Sequence, residues 1–491
     1  MKTKTKTFLS ILILTSNLIQ LTACSNPVNP DIIDNPVNPI NPKEKIFTIY
    51  SAPKEESLSK LYKVTVENKN LPVYKFKVAP AEPESRWRAM DNKETPGSLY
   101  EEAAFAYFDI KDQVEVTVST NEAIHSVKIL PSSSGIVANF KDKSLSFKID
   151  KPMNLTIEVN GKWVSALHLF ANPIEENVPD PNDPNVIYFG PGIHQVSNMM
   201  IGDNKTVYIA GGAIVYGIAT EQAEAIFDVR GKNVTIRGRG IIDSSLCPLY
   251  SRFSIAVAGS DIDIEGVIMR DASHWTIPIR WGSNGVHVDN IKILGYRPNT
   301  DGIDILNSSN VLIENCFIRT LDDNIVVKTL KNEGKVGNIT VQKCVLWNEV
   351  AHALSVGAEI REDVSNVLFE DCDVIHDKGR EWTLRVYHTD AARVSNVRFK
   401  NIRIEETQRL ISLWINKAYW SADTERGHII GVEFRNISAK GDNLKIELLG
   451  YDQDHLIEDV TFKNVTFNNN AITKGDVVTN NFVKNVIVNS N

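Results

Sequence analysis

Short apolar runs at a regular interval dominate the second half of the chain. Nine segments place an apolar, a polar and an apolar residue in succession before a turn and a second short strand. Successive segments begin 24 to 35 residues apart, which is the spacing of a solenoid built from β-coils. A single coil cannot bury its own apolar face, so we expect the coils to stack around one continuous core. The segments are Val234–Ile236, Ile262–Ile264, Val286–Val288, Val311–Ile313, Ile339–Val341, Val367–Phe369, Val397–Phe399, Val432–Phe434 and Val460–Phe462.

The residues after each apolar segment predict the corners and the interior of the coils. Four residues after the lead position, most of the later copies carry Asn or Asp, which tolerate a left-handed turn conformation. The next position is apolar in each later copy and includes Cys316, Cys344 and Cys372, spaced 28 residues apart. We expect these thiols inside the core, as small hydrophobes rather than metal ligands or disulfides. The corner residues are Asn315, Lys343, Asp371, Asn401, Asn436 and Asn464.

The fold class that these patterns predict is all-β. Residues 176–491 show no long amphipathic helix, and a right-handed single-stranded parallel β-helix is the natural architecture for them. Residues 45–175 instead alternate with period two in runs such as Val114–Val118 and Leu155–Val159, which is typical of antiparallel strands in a β-sandwich. No candidate site residues cluster in this region. A packing or spacer role is therefore favoured over carbohydrate binding.

The first 44 residues are read as a targeting segment and a tether. Residues 1–23 have a basic start with Lys2, Lys4 and Lys6 and an apolar stretch from Phe8 to Leu21. The segment ends in Leu-Thr-Ala before Cys24 and resembles a bacterial lipoprotein signal, which implies lipidation of Cys24. The Pro- and Asn-rich residues 24–44 have little to bury and are read as an extended spacer.

Charge and location limit the partners that we expect. The formal net charge is −8 and no long basic run is present, which argues against a nucleic-acid partner. The lipoprotein signal predicts a protein of the bacterial cell envelope, anchored by lipid at the outer membrane surface or in the periplasm. We expect a monomer that touches the membrane only through this anchor.

Aligning successive coils brings a set of chemically active residues into one column. Asp322 lies beside the column, and Arg385 and Tyr387 project from its last coil. Strands of neighbouring coils lie about 4.8 Å apart, so stacked carboxyls repel one another and raise at least one pKa. Acids in the centre with aromatic residues at both ends suggest a sugar-binding cleft that hydrolyses glycosidic bonds. The column is Trp275, Asp301, Asp323, His352 and Trp382.

The motifs in this column resemble those of the polygalacturonase family, glycoside hydrolase family 28. The matching elements are Asn299–Gly302, the pair Asp322 and Asp323, Ala351–Ala353, and Arg385, in the family's order over roughly residues 185 to 470. The resemblance implies an inverting hydrolase without a metal or other cofactor. It implies that Asp322 is the general acid and that Asp301 and Asp323 activate water. It also implies that His352 supports the acid and that Arg385 binds substrate; Asn299, Tyr387, Trp275 and Trp382 complete the predicted substrate contacts.

Two departures from the family pattern bear on the substrate. The family's Gly-His-Gly is Ala351-His352-Ala353 here, and its Arg-x-Lys is Arg385-Val386-Tyr387, which lacks the Lys that contacts the galacturonate carboxylate. The related dextranase and isopullulanase family, family 49, shares the aspartate triad and has a β-sandwich before its β-helix. The junction Val186–His194 is similar to that family's junction. Both a pectic or related α-linked glycan and a neutral α-glucan therefore remain candidate substrates.

Two other classes of function are weighed against hydrolysis. A polysaccharide lyase of this shape needs Ca²⁺ or a basic Lys or Arg, whereas the predicted column is acidic and has no Lys. A non-catalytic glycan binder has no need for three mutually repelling acids. Inversion is associated with acid and base carboxyls about 6.5–9.5 Å apart, so Asp322 is expected to point away from the Asp301–Asp323 pair. The segments Asn332–Lys335 and Trp414–Arg426 are expected to border the ends of the cleft.

Overall fold

The computed structural model describes residues 46–86, 99–220 and 222–489. The predicted signal, the predicted lipidation residue Cys24 and the predicted tether all lie outside the described residues. Lys45–Asn491 form one compact unit. Within the described residues, no helix is long enough and apolar enough to span a membrane.

The regular elements described before Pro173 are mainly strands, together with the helical residues 83–86. A short 3₁₀ turn at Ser132–Ser134 interrupts them. The strands are β1 (Phe47–Thr48), β2 (Tyr62–Val66), β3 (Lys69–Leu71), β4 (Tyr74–Val78), β5 (Glu101–Ile110), β6 (Val114–Thr120), β7 (Val127–Leu130), β8 (Asn139–Lys141), β9 (Ser144–Ile149), β10 (Met153–Val159) and β11 (Leu167–Pro173).

These strands form two sheets that enclose a common apolar core. Among the described residues, one sheet has the order β1-β5-β11-β10-β7 with β4 beside β5, and the other has the order β3-β2-β6-β9-β8. Side chains from both sheets, such as Val116 and Leu155, meet in one buried cluster. The predicted β-sandwich is therefore confirmed. The prediction of antiparallel strands is wrong for one pair, because β11 runs parallel to β5.

The rest of the described chain is a parallel β-helix. A second 3₁₀ turn lies at Lys474–Asp476 near its end. Its strands are β12 (Val186–Phe189), β13 (Gly192–Val196), β14 (Met199–Ile201), β15 (Thr206–Ile209), β16 (Ala213–Gly217), β17 (Ala225–Val229), β18 (Lys232–Gly238), β19 (Ile241–Asp243), β20 (Phe253–Val257), β21 (Ser260–Glu265), β22 (Ile268–Arg270), β23 (Ile277–Ile279), β24 (Asn284–Asp289), β25 (Lys292–Leu294), β26 (Ile303–Leu306), β27 (Ser309–Glu314), β28 (Phe317–Thr320), β29 (Ile325–Thr329), β30 (Val336–Gln342), β31 (Val345–Asn348), β32 (Leu354–Ile360), β33 (Val364–Glu370), β34 (Asp373–Asp377), β35 (Leu384–His388), β36 (Arg393–Thr407), β37 (Ile411–Ile415), β38 (His428–Gly441), β39 (Ile446–Leu449), β40 (Ile457–Phe467), β41 (Asn470–Ala471), β42 (Val478–Thr479) and β43 (Val483–Asn489).

The register between coils follows the sequence repeat. The nine lead positions from Val234 to Val460 pair in unbroken order, and Val460 pairs onward with Val486. In the described coils, a 21-stranded sheet contains two strands of each typical coil and an 11-stranded sheet contains the third. The corner between the first two strands is left-handed at each predicted residue. Their φ angles run from 51° at Asn464 to 56° at Asn315.

The predicted cysteine ladder lies inside the β-helix. Cys316, Cys344 and Cys372 are buried, unpaired thiols in the continuous apolar core. Each thiol donates to a backbone carbonyl two residues earlier, as Cys316 Sγ does to Glu314 O at 3.0 Å. Burial and the neighbouring thiols raise the pKa of Cys344, so it is a neutral core group. The prediction that these residues are core is confirmed.

Replacing Cys344 with Asp is expected to destabilise the protein by about 3 kcal/mol or more, because it buries a charge without a partner. The midpoint of urea unfolding measures this loss. Thr340→Asp introduces the same charge at a half-exposed, outward position of β30 and serves as the control. Equal midpoints for the two variants would contradict the buried ladder.

The sandwich packs directly on the β-helix. Phe105 and Phe170 of the sandwich share a buried cluster with Phe317 and Trp347 of the coils. Strand β5 is buried on both faces over most of its length, because one face lines the sandwich core and the other covers the coils. This contact supports the packing role that the sequence favoured.

Candidate active site

The acidic residues of the predicted column lie where the chain enters the 11-stranded sheet. Asp301 precedes β26, Asp323 precedes β29 and His352 precedes β32. Backbone hydrogen bonds stack these entries, since Gly302 N–H donates to Asp323 O at 2.8 Å and Asn324 N–H donates to His352 O at 2.9 Å. The side chains therefore leave the stack on the same edge of the β-helix.

The strand register reproduces the alignment made from sequence. Ile303 pairs with Ile277 and with Ile325, and Leu354 pairs with Ile325 and with Leu384. Each pairing sets the residues two positions earlier in one row. The row of Trp275, Asp301, Asp323, His352 and Trp382 is therefore a property of the fold.

The three predicted catalytic carboxyls form one compact cluster. One oxygen of each of Asp301, Asp322 and Asp323 lies within 4.8 Å of the other two. Asp301 and Asp323 are buried, and Asp322 is partly exposed. The expectation that Asp322 points away from the other two acids is wrong. The bend before β29 turns both neighbours to the same side, because Asp322 and Asp323 lie before the strand and do not alternate as strand residues would.

Asp323 is held as a carboxylate. His352 Nδ1 lies 2.5 Å from Asp323 Oδ1, and Arg385 Nη2 donates to Asp323 Oδ2 at 3.4 Å. Burial alone would raise the pKa of Asp323, but His352 and Arg385 outweigh burial and lower it below its ordinary value. Asp323 therefore stays ionised at the pH values at which a general base must be ionised to act.

Asp322 has the opposite electrostatic environment. Burial, followed by the charges of Asp301 and Asp323, raises the pKa of Asp322 well above its ordinary value. The backbone N–H of Asp323 donates to Asp322 Oδ1 at 2.9 Å, which offsets only part of this shift. Two adjacent carboxyls with pKa values moved in opposite directions are the arrangement that separates a general acid from a general base.

Asp301 belongs to a second charged group that the sequence did not indicate. Lys328 Nζ donates to Asp301 Oδ2 at 3.1 Å and to Asp304 Oδ1 at 2.8 Å. Burial raises the pKa of Asp301 to about 6, although Lys328 opposes the rise. Burial and the charge of Asp301 raise the pKa of Asp304 well above its ordinary value. Lys328 thus offsets negative charge at the edge of the triad.

The column itself has no Lys, as predicted, but Lys328 reaches its acidic centre from β29. Lys328 does not act as a free base, however. Its burial lowers the pKa, but Asp301, Asp304 and Glu359 outweigh burial and raise the pKa well above its ordinary value. A proton-abstracting Lys requires the opposite shift. The argument for hydrolysis over elimination still holds, on the charge state of Lys328 rather than on its absence.

His352 contacts a different acid from the one that the resemblance implied, and Arg385 contacts that same acid. His352 contacts Asp323, the implied base, and not the implied acid Asp322. Burial and Arg385 lower the pKa of His352, so the neutral ring donates from Nδ1. Arg385 also donates from Nε to Ser355 Oγ at 2.7 Å. Both residues therefore hold Asp323 in place and favour its ionised form.

The remaining predicted contacts divide into near and remote groups. The Trp275 ring lies 4.6 Å from Lys328 Nζ, and the Tyr387 ring lies 4.8 Å from the Arg385 guanidinium, so both adjoin the charged cluster. Trp382 is buried, and the guanidinium of Arg409 lies 5.7 Å from the centroid of its ring. This contact does not involve the triad. Asn299 adopts a left-handed backbone with φ of 58° in the turn that leads to Asp301.

Sequence reasoning missed Lys328, Asp304 and Ser355 at the site. Each lies at an outward position of a strand whose inward neighbours are apolar. The signal was a polar residue inside a short, otherwise apolar run directly after a motif acid. These runs resemble fully buried strands, which concealed their outward face.

The triad also has the spacing of a possible metal site. Two of its acids already contact the cations Lys328 and Arg385, and the raised pKa of Asp322 favours its neutral form. We therefore expect dialysis against EDTA to leave the initial rate of reducing-sugar release unchanged. A loss of rate that added Ca²⁺ restores would contradict this charge balance.

The fold and this cluster define a class: a β-sandwich followed by a parallel β-helix with a carboxylate triad on one edge. The profile of Glycosyl hydrolases family 28 matches residues 219–489, more than half of the chain. The protein belongs to this family.

Individual relatives are more distant. An exopolygalacturonase from Arabidopsis thaliana is 30% identical over 165 residues, which cover 32% of this chain and 36% of that protein. The chain spans between about a third and a half of the length of the curated relatives first matched.

Solved structures show the fold over a longer range. Dex49A from Penicillium minioluteum covers 90% of this chain and 96% of its own, with a TM-score of 0.65 and 14% identity. The hyperthermoactive exopolygalacturonase from Thermotoga maritima covers 62% of this chain and 84% of its own, with a TM-score of 0.52 and 17% identity. The resemblance to both families that the sequence indicated is confirmed at the level of family and fold.

Proposed function

We propose that this protein is an inverting glycoside hydrolase that cleaves O-glycosidic bonds of a polysaccharide, with a pectic or related α-linked glycan as substrate. One observation carries the proposal: three carboxyls lie within 4.8 Å, and their surroundings raise the pKa of Asp322 and lower the pKa of Asp323. Membership of family 28 and the polygalacturonase names among its relatives support the same chemistry.

In the proposed reaction, Asp322 donates its proton to the glycosidic oxygen as the bond from the anomeric carbon to that oxygen breaks. Asp323 accepts a proton from a water molecule as the water oxygen bonds to the anomeric carbon. Asp301 accepts the second hydrogen bond of this water. A water with hydrogen bonds of about 2.7 Å to two carboxylates fits between oxygens separated by the observed spacing. His352 and Arg385 keep Asp323 ionised.

Buried polar atoms without a protein partner support a polar ligand at this place. Among the described residues, Asp301 Oδ1 and His352 Nε2 have no hydrogen-bond partner. Such atoms are costly in a core but are common where a ligand completes the bonding. Both residues lie in the row that contains Asp323, beside Asp322.

The stereochemical outcome is the decisive test. The carboxyl oxygens lie closer than the 6.5–9.5 Å or so that is typical of inverting pairs, and nearer to the retaining range of about 5–5.5 Å. Inversion is therefore supported by the family resemblance and the charge assignment, not by the separation. NMR of the first product formed by the full chain identifies the anomer. A product with retained configuration would overturn the proposed roles of Asp301 and Asp323.

A second candidate is a hydrolase of a neutral α-glucan. The observation that favours it is Tyr387, an aromatic ring beside Arg385 at the position where the resemblance leads one to expect Lys. Reducing-end assays on polygalacturonan and dextran separate the two candidates. The alternatives of lyase and passive binder predict an unsaturated product and no product, respectively.

We also propose the location. The chain would be lipid-anchored at Cys24 in a bacterial cell envelope, at the outer membrane surface or in the periplasm, and act there as a monomer. Cys24→Ser is expected to move the protein from the membrane fraction to the soluble fraction, because a lipid anchor accounts for its membrane affinity. Cell fractionation followed by immunoblotting measures this change. Unchanged partition would refute lipidation at this residue.

A further inference from the structure

Two aromatic side chains form a platform immediately beside the charged cluster. Tyr387 of β35 and Trp414 of β37 are direct register partners, and their ring centroids lie 4.9 Å apart. Both rings are half-buried, so each keeps an exposed part. The Tyr387 ring lies 6.3 Å from the His352 ring, and His352 contacts Asp323. A ligand that reaches the triad from this side therefore passes over the two rings.

A carboxylate lies beside the platform, since Glu447 pairs in register with Ser412 and accepts a hydrogen bond from Ser412 Oγ at 3.1 Å. Burial raises the pKa of Tyr387 to about 12; the hydrogen bond with Ser412 and the charge of Arg385 oppose the rise, and the carboxylates of Glu381 and Glu447 add to it. Arg385 is the cation in contact with the ring, but it donates to Asp323 Oδ2 at 3.4 Å and to Gly357 O at 3.2 Å. Its charge is thus already directed at the base, and the carboxylates near the platform disfavour a further anion.

Two further exposed aromatic residues follow Trp414 in the sequence. Tyr419 is 96% exposed and Trp420 is 47% exposed, on the loop that follows β37. Asp390 Oδ1 accepts hydrogen bonds from the backbone N–H groups of Ala422 at 2.7 Å and Asp423 at 2.8 Å, which hold this loop. Exposed aromatic rings on a held loop are typical of a binding surface.

We propose that Tyr387 and Trp414 form a subsite that binds the apolar face of an uncharged sugar, next to the bond that is cleaved. This inference rests on the proposed function and narrows its substrate class. An aromatic face gives contact area and orientation to the C–H face of a pyranose. The nearby carboxylates reject a uronate by like-charge repulsion, so the subsite selects by charge as well as by shape. Related α-linked glycans with neutral units fit this subsite as well as neutral glucans do.

The test uses two ligands that share a backbone but differ in charge, and a third neutral ligand with a different backbone. Full-length protein with Asp322→Asn is titrated with polygalacturonan hexasaccharide, with the same hexasaccharide after reduction of its carboxyls, and with isomaltohexaose. Calorimetry measures each Kd without turnover. We expect at least one neutral hexasaccharide to bind about tenfold or more tightly than the uronate. Uronate binding that equals or exceeds that of both neutral ligands would overturn the inference, as would failure of all three to bind.

Variants locate the effect. Tyr387→Lys and Trp414→Ala, each in the Asp322→Asn background, are expected to weaken neutral binding by about tenfold, and Tyr387→Lys should also improve uronate binding. Phe140→Lys adds the same charge at an exposed ring of the sandwich. It should change neither the Kd of the neutral ligands nor the Kd of the uronate. Unchanged neutral binding in both platform variants would refute the subsite. If neutral ligands bind but wild-type protein releases no reducing ends, the proposed hydrolysis fails and the subsite stands.

Discussion

Asp322→Asn is expected to lower kcat by about 100- to 10,000-fold with little change in substrate Kd. The variant removes the proton that Asp322 gives to the leaving oxygen, and this interaction exists only in the transition state. Asn keeps nearly the same volume, so the packing around Asp301 and Asp323 should persist. Single-turnover assays with the cleaved polysaccharide measure kcat, and calorimetry measures Kd.

The matched control is Asp363→Asn. Asp363 is a surface carboxylate that pairs with Lys335 at 2.9 Å, so its loss removes one acid without touching the cluster. We expect wild-type kcat for this variant. A near-normal kcat for Asp322→Asn would show that another group donates the proton.

The same assignment fixes the pH dependence of the wild-type rate. Asp323 and Asp301 must both be ionised to hold the water, and Asp301 sets the acid limb because its pKa is raised to about 6 while that of Asp323 is lowered. Asp322 must be protonated, so the rate falls as pH rises through its raised pKa. The basic limb should disappear in Asp322→Asn, because Asn has no proton to lose. Persistence of that limb at the same pH would assign it to a different residue.

Arg319→Met is expected to lower the free energy of unfolding by about 3–5 kcal/mol. Arg319 Nε donates to Glu349 Oε1 at 2.9 Å, and both side chains are fully buried. Removing the guanidinium leaves the carboxylate of Glu349 in the interior with its main partner gone, which is among the most costly changes in a fold. Urea unfolding followed by tryptophan fluorescence measures the loss.

This ion pair lies where the sandwich meets the catalytic loop. Arg319 Nη1 lies 3.2 Å from Nε2 of the buried His168 of the sandwich, and Arg319 is three residues before Asp322. Glu349 N–H donates to Thr320 O at 3.0 Å, and Asn348 Nδ2 donates to Asp322 O at 2.8 Å. We therefore expect Arg319→Met to lower kcat as well, at temperatures where the variant is still folded.

Two further variants separate lost charge balance from lost packing. The double variant Arg319→Met with Glu349→Gln should recover much of the stability, since the stranded charge is removed. Lys335→Gln breaks an exposed ion pair and should leave the unfolding midpoint unchanged. A double variant no more stable than Arg319→Met would show that the charge balance of this pair is not what holds the interface.

The sequence predicted much of the site because a β-helix turns sequence spacing into spatial neighbourhood. Asp301, Asp323 and His352 share a row because each lies two residues before one of the register partners Ile303, Ile325 and Leu354. The prediction failed where a long side chain reaches from its own coil into a neighbouring one. Lys328 extends from its own coil to Asp301 and Asp304 in the preceding coil and to the Trp275 ring beyond it, and a row-by-row alignment does not show such a reach.

The sequence by itself determined the coil register, the left-handed corners and the buried cysteine ladder, because each depends on local periodicity and on conformations that Asn and Asp tolerate. Only the tertiary structure decided the charge of each carboxyl. Asp322 and Asp323 are neighbours of the same type, yet one faces two acids and the other faces His352 and Arg385. The tertiary structure also decided that the sandwich supports the catalytic loop, through Arg319 and His168. Such contacts join residues 151 positions apart, and no repeat in the sequence relates them.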